Sequence, residues 1–234
     1  MTTREYQISD KELAGRIEHT LLSATATEEQ IEKLCEEAIN YGFYSVCVNG
    51  RWVTLAADKL HGSNVKVCSV ISFPLGADST KIKAAQAKEA IFSGADEIDM
   101  AADLAAIIEG NSKYLLGQFR AVLKICHSMR PRVLLKVIIE SAALSWEQKL
   151  FACQTAEKCG VDFIKTSTGL HPAGGATVED IKLIKQSAPN CRIKAAGGIK
   201  TAKQALEMLE AGADRIGTSS GVEIINQFRA GQLQ

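Results

Sequence analysis

Three lysines lie where a charge is hardest to accommodate. Lys165 ends the run Val161-Asp162-Phe163-Ile164-Lys165, Lys194 ends Arg192-Ile193-Lys194, and Lys136 sits inside Leu134-Leu135-Lys136-Val137-Ile138, with Glu140 just beyond it. Ammonium groups gathered in a partly dry pocket are costly, and the cost is relieved when one amine gives up its proton and becomes a nucleophile. A neutral amine adds to an aldehyde or ketone. The protonated imine that follows withdraws electrons and lets an adjacent carbon–carbon bond break or form. Lys165 is the expected nucleophile and Lys194 its charged neighbour. Asp99, at the end of Asp96-Glu97-Ile98-Asp99-Met100, is the expected proton shuttle. The plainer reading is that these lysines pair with buried carboxylates or extend to a rim; three of them in successive units weigh against it. The chemistry requires the Lys165 amine to face an open mouth, free of any permanent ion pair.

Positioning these groups falls to short β-branched runs that alternate with longer helical patterns. The runs predict strands over Glu18–Leu22, Tyr44–Val48, Lys66–Ile71, Glu97–Met100, Val133–Ile139, Phe163–Lys165, Arg192–Ala195 and Arg215–Gly217. Helices are predicted over Glu28–Tyr41, Lys81–Ser93, Tyr114–Met129, Trp146–Cys159, Val178–Ala188 and Ala202–Ala211. Thr27 with Gln30 reads as a capping box, and Thr177 with Asp180 as its close relative. A phrase recurs: Ser93-Gly94-Ala95-Asp96-Glu97-Ile98, Cys159-Gly160-Val161-Asp162-Phe163-Ile164 and Ala211-Gly212-Ala213-Asp214-Arg215-Ile216, with Tyr41-Gly42-Phe43-Tyr44 a weaker copy. Each closes a helix on glycine and enters a buried strand, as a βα repeat does. Eight units fit the length, so the expected fold is α/β, a (β/α)8 TIM barrel forming a single domain over residues 1–234. A doubly wound open sheet is the alternative. On a barrel, Lys165 and Lys194 stand at similar heights on neighbouring strands about 5 Å apart, at the end where functional groups gather.

Small-residue loops follow the last three strands: Ser167-Thr168-Gly169, Gly197-Gly198-Ile199-Lys200 and Gly217-Thr218-Ser219-Ser220-Gly221. Backbone N–H groups and hydroxyls at helix starts bind phosphate, and barrels commonly hold one after the seventh and eighth strands. A lone Gly-Gly is usually a turn; two such loops beside the lysines form a candidate cradle.

Composition narrows the partners. Apolar residues make up 46% of the 234 residues and charged residues 23%, enough for a large core. Lys plus Arg and Asp plus Glu are each 27, so no global field favours nucleic acid or an anionic membrane. No apolar run approaches a bilayer span, and Met1–Asp10 is polar, without a signal core. The seven cysteines form no C-x-x-C pair, which fits reduced thiols in the cytoplasm rather than a disulfide framework. His19, His61, His127 and His171 are scattered, so no metal is expected and no cofactor is required. Trp52 and Trp146 read as packing residues.

The sequence resembles the deoxyribose-phosphate aldolase family. The phrases that carry the resemblance run in family order over nearly the whole chain: His19-Thr20-Leu21-Leu22, Val46-Cys47-Val48-Asn49, Phe73-Pro74-Leu75-Gly76, Gly94-Ala95-Asp96-Glu97-Ile98-Asp99-Met100, Leu135-Lys136-Val137-Ile138-Ile139-Glu140, Phe163-Ile164-Lys165-Thr166-Ser167-Thr168-Gly169, Lys194-Ala195-Ala196-Gly197-Gly198-Ile199 and Gly217-Thr218-Ser219-Ser220-Gly221. The resemblance implies a class I, Schiff-base aldolase that interconverts 2-deoxy-D-ribose 5-phosphate with acetaldehyde and D-glyceraldehyde 3-phosphate. Lys165 corresponds to its Schiff-base lysine, Lys194 to the second lysine that makes Lys165 easier to deprotonate, and Asp99 to the relay aspartate. Gly169, Gly197, Gly198, Gly217, Ser219 and Ser220 correspond to the phosphate cradle. Lys136 and Thr168 join the substrate-binding set, as does Cys47, which matches a pocket cysteine near the aldehyde and reads equally well as a buried strand cysteine.

Several positions depart from the family pattern. Glu18 stands where an aspartate is usual; Ala101, Ala102 and Asp103 replace larger apolar residues and an asparagine; Leu170-His171-Pro172 follows Gly169. The chain ends at Gln234 without the tyrosine-bearing tail of some relatives, so water is expected to complete the relay. These changes keep open an aldolase with another donor or phosphosugar, and a noncatalytic phosphosugar-binding barrel. The expected partners are a phosphosugar and an aldehyde, without nucleic acid or membrane, and a homodimer is the expected assembly.

Overall fold

Eight short parallel strands close on themselves in the order β1 to β8. They are β1 Ile17–Leu21, β2 Ser45–Asn49, β3 Lys66–Ile71, β4 Glu97–Ala101, β5 Leu134–Ile138, β6 Phe163–Lys165, β7 Arg192–Ala196 and β8 Arg215–Thr218. The structure is a computed structural model that describes residues 8–232. The polar stretch Met1–Asp10 therefore lies mostly outside the described residues, as does the chain end at Gln234. Closure of the sheet, β1 pairing with β8 through Ile17 with Ile216 and Glu18 with Gly217, rules out the open doubly wound alternative. All eight expected strands are present, with ends displaced by a residue or so, as fraying termini allow.

Among the described residues ten α-helices accompany the strands: α1 Asp10–Ala14, α2 Glu28–Tyr41, α3 Val53–Lys59, α4 Thr80–Phe92, α5 Leu104–Ile108, α6 Ser112–Ser128, α7 Trp146–Cys159, α8 Val178–Ser187, α9 Ala202–Ala211 and α10 Gly221–Arg229. Four of them, α1, α3, α5 and α10, go beyond what the sequence pattern predicts. Each is under ten residues, too short for a 3.6-residue period to stand out from its surroundings. Thr27 and Gln30 form the expected capping box, and the Thr177 side chain accepts the N–H of Asp180. Ser9 with Glu12, Ser145 with Gln148 and Thr201 with Gln204 form three further boxes.

The recurring phrase ties the barrel together. Its aspartate reaches back to the neighbouring strand: Asp96 accepts the N–H of Val67, Asp162 that of Leu135, and Asp214 that of Ile193, at 2.8–2.9 Å. Three of the eight βα units are thus fastened to their predecessors at the barrel's N-terminal end. The outward strand faces pack with the helices in one core that includes Ile98, Leu135, Ile164, Ile193 and Ile216. Trp52 packs against this core as expected. Trp146 does not: it is the first residue of α7 and 60% exposed, because a helix start at the rim points its side chain away from the sheet. All seven cysteines are free thiols, and burial pushes those of Cys126 and Cys153 up to about 12.

Candidate active site

Along each strand alternate side chains turn inward. Inside this barrel they form an ionic stack rather than an apolar plug. Register places Lys165 beside Lys194 and Asp99 beside Lys136. All four side chains therefore meet on the axis near the C-terminal mouth, and all four residues are at least 98% buried, Lys165 the least so at 2% exposure.

Asp99 is the hub. Its Oδ2 accepts from Lys165 Nζ at 2.9 Å and Lys194 Nζ at 2.7 Å; its Oδ1 accepts from Lys136 Nζ at 2.9 Å and the Cys68 thiol at 3.2 Å. Lys194 also reaches Glu18 at 2.5 Å, and Lys136 reaches Glu97 at 2.6 Å and Glu18 at 3.3 Å. One Glu18 carboxylate thus bridges two lysines. Burial pushes the Asp99 carboxyl up, but Lys136, Lys165 and Lys194 outweigh it and hold the group well below the usual carboxylate range. Glu18 is lowered likewise, burial being overcome by Lys136 and Lys194. Burial works against the charged forms of Lys136 and Lys194, yet Asp99, with Glu18, raises both amines above their usual value.

The balance of charge then singles out one residue. Lys136, Lys165, Lys194 and Arg215 are joined by ion pairs to Glu18, Glu97 and Asp99, four cations to three carboxylates. A buried surplus of one positive charge is costly. The carboxylates are occupied, Lys136 and Lys194 are held charged, and a guanidinium does not deprotonate. Of the four cations, Lys165 is the one that also lines the cavity described next. It has a single carboxylate neighbour, one already shared with two other ammonium groups. That pair is shared rather than exclusive to Lys165. Lys194 is not a bare charge facing Lys165 either; both amines meet the same Asp99 oxygen.

Lys165 also opens onto a cavity of about 450 Å³ lined by the ends of β1, β6, β7 and β8. Thr168, Gly169, Gly197, Gly198, Gly217 and Ser219 all line it; Thr20, Ser23, Lys200 and Leu170 join them. Ser220 lies just behind as the N-cap of α10. Lys136 and Cys47, expected to bind substrate, sit below the lining and are fully buried, Cys47 with its thiol 4.0 Å from Asp99. Gly217 serves the floor as well as the rim, since a Cβ there would lie 2.8 Å from Lys194 Cε and its bareness admits the lysine stem.

The loop carrying Thr168 is held from outside the cavity. Glu140, in the left-handed region at φ 53°, is buried and accepts the Thr168 N–H on both oxygens at 3.2 Å. That N–H is thereby committed to a carboxylate. Gly175 lies so close to the β7–α9 loop that a Cβ would come within 2.1 Å of the Gly197 carbonyl oxygen, and Ala176 donates to that same oxygen. Sequence reasoning missed Gly175, Glu97 and Arg215; the doublet Gly174-Gly175 was the one available signal for the first. At the positions that depart from the family pattern, Ala101 and Ala102 are buried, Asp103 caps α5, and His171 accepts the N–H of Ala173.

A closed parallel barrel with a lysine hub at its C-terminal mouth defines a barrel enzyme with carbonyl-directed amine chemistry in reach. The family profile described as DeoC/LacD family aldolase matches residues 14–227, and the chain belongs to this family of carbon–carbon lyases. A Thermococcus kodakarensis protein named deoxyribose-phosphate aldolase is 50% identical over 221 residues, 93% of this chain and 97% of that one. A Geobacillus protein of the same name is 49% identical over 217 residues, 92% of this chain and 96% of its own. Among solved structures, a deoxyribose phosphate aldolase from Aeropyrum pernix, described as tetrameric, superposes with a TM-score of 0.88 at 30% identity, covering 95% of this chain and 93% of that one. Among the described residues no helix is long and apolar enough to cross a membrane.

Proposed function

We propose that this aldolase reversibly cleaves 2-deoxy-D-ribose 5-phosphate to D-glyceraldehyde 3-phosphate and acetaldehyde through an imine on Lys165. The reading rests above all on one observation: the Lys165 amine lies 2.9 Å from the Asp99 carboxylate and lines the cavity, at the top of a buried ionic cluster. The neutral amine adds to the aldehyde carbon of the open-chain sugar, and water leaves to give the protonated imine. The bond between the second and third carbons breaks as the 3-hydroxyl loses its proton, its electron pair flowing to the imine nitrogen. Glyceraldehyde 3-phosphate departs. The remaining enamine is protonated on carbon, and water releases acetaldehyde and restores the amine. Asp99 is within reach of the Lys165 nitrogen for each proton transfer at that atom.

The substrate phosphate belongs at the opposite rim, among Gly169, Gly197, Gly198, Gly217 and Ser219. Homodimeric assembly and a cytoplasmic setting complete the proposal; the seven free thiols support a reducing compartment, and sedimentation measures the assembly.

The test is reductive trapping. Acetaldehyde with borohydride is expected to leave a two-carbon adduct on Lys165, located by peptide mass analysis, and deoxyribose 5-phosphate is expected to turn over faster than related phosphosugars. An adduct on no lysine removes the mechanism; fast turnover of a different phosphosugar removes the substrate assignment.

A further inference from the structure

Beneath the lysine hub lies a second ionic layer that the reaction never touches. Glu97 opens β4, Arg215 opens β8, and Tyr44 stands just before β2. Tyr44 Oη donates to Glu97 Oε1 at 2.8 Å, and Glu97 Oε2 is 2.6 Å from Lys136 Nζ. Arg215 Nη1 lies 3.6 Å from Glu18 and 3.8 Å from Glu97. Its guanidinium carbon is 3.2 Å from the Tyr44 ring centre and 5.4 Å from that of Phe163. Arg215 is 8% exposed and Glu97 1%, so water screens neither charge effectively. Glu18 and Lys136 join this layer to Asp99, and Asp99 joins it to Lys165.

We propose that Arg215 and Glu97 are positioning residues that set, through fixed charge, the pH at which Lys165 becomes a free amine, although neither touches it. The inference rests on Lys165 being the imine-forming lysine. Its basis is the charge of the whole buried cluster. With Lys165 charged, four cations face three carboxylates; with Lys165 neutral, the cluster balances. Arg215 supplies the surplus that makes proton loss favourable, and Glu97 limits that surplus while clamping Lys136 in its charged form. The other groups facing Lys165 are Asp99, Lys194, Lys136 and Glu18, with the thiols of Cys47 and Cys68 beside Asp99; all of these remain in the variants below.

The sign of each substitution follows. Arg215→Met leaves the cluster balanced with Lys165 charged, so proton loss must now create a net negative interior. Glu97→Gln enlarges the positive surplus, so proton loss becomes easier. Together the two substitutions restore a surplus of one. A role in packing alone predicts no such opposition and no such cancellation.

The experiment measures the pH dependence of kcat/KM on deoxyribose 5-phosphate, alongside initial rates of cyanoborohydride trapping with acetaldehyde. The acid limb is expected to rise by about one pH unit in Arg215→Met and to fall by about as much in Glu97→Gln. The double variant is expected to return close to the wild-type limb, and Arg215→Lys to leave it unmoved despite the changed packing on Tyr44. Shifts of the same sign in the two single variants, or no shift in either, overturn the proposal. So does a double variant that stays displaced. If Glu97→Gln does not fold, Arg215→Met against Arg215→Lys decides: a limb that does not separate them overturns it. A wild-type enzyme with no Lys165 adduct removes the imine reading and this inference together; a Lys165 adduct with unmoved limbs removes only this inference.

Discussion

The floor and the rim of the cavity are built on different principles. The floor is made of side chains whose identities are the chemistry: Lys165, Lys194, Lys136, Asp99 and Glu18, locked by ion pairs of 2.5–3.3 Å. The rim is made of backbone, Gly169, Gly197, Gly198 and Gly217, and is held in shape by residues outside the cavity, Glu140 and Gly175. A perturbed floor should therefore fail in bond making. A perturbed rim should fail in holding the phosphorylated end while the amine stays competent.

The largest expected effect breaks the floor. Lys194→Met removes the ammonium shared by Asp99 and Glu18 and leaves two fully buried carboxylates short of a partner. A stability loss of about 3–5 kcal/mol is expected, because breaking a buried pair strands the other charge. By charge the cluster now balances with Lys165 protonated, so trapping with acetaldehyde should slow sharply and kcat/KM should drop by roughly a thousandfold. Urea unfolding and trapping kinetics read the two effects separately. Wild-type turnover in this variant would remove Lys194 from the floor altogether.

Next comes the rim. In Gly175→Ala the new methyl would lie 2.1 Å from the Gly197 carbonyl oxygen and 2.9 Å from its Cα, backbone atoms that must move. Displacing a phosphate-binding loop by even an ångström is costly for a positioned substrate. KM for deoxyribose 5-phosphate is expected to rise roughly tenfold to a hundredfold, while acetaldehyde trapping at Lys165 proceeds at nearly the wild-type rate. Equal losses in both assays would erase the distinction between floor and rim.

The same contrast explains what could be read in the sequence. Lys165, Lys194 and Lys136 stood out because a lysine inside an apolar strand violates the period-two pattern, and the repeat of Gly-x-Asp phrases fixed the barrel. Glu97 and Arg215 did not stand out. Lys66 and Arg192 open β3 and β7 in the same way, and both are exposed. Whether a charged residue at a strand entrance faces solvent or the axis depends on the parity of the register, which only closure of the barrel settles. Gly175 was marked only by its doublet with Gly174, for another reason. Its partner, Gly197, belongs to a different βα unit, and the need for a bare Cα arises from their approach rather than from any local turn.

The smallest effect sharpens the rim from the other side. Glu140 holds the Thr168 N–H with both oxygens from a backbone at φ 53°, a conformation that side-chain-bearing residues adopt at a cost. Glu140→Ala removes the acceptor and leaves that N–H buried and unmet, worth about 1–3 kcal/mol. Part of this appears as lower stability and part as looser phosphate binding, so KM is expected to rise only severalfold with kcat little changed. Glu140→Gln keeps one side-chain acceptor and should recover most of the loss. Failure of the glutamine to recover KM, with stability restored, would mean that the negative charge of Glu140 matters to the loop as well as its geometry, and the rim would then share with the floor a dependence on fixed charge.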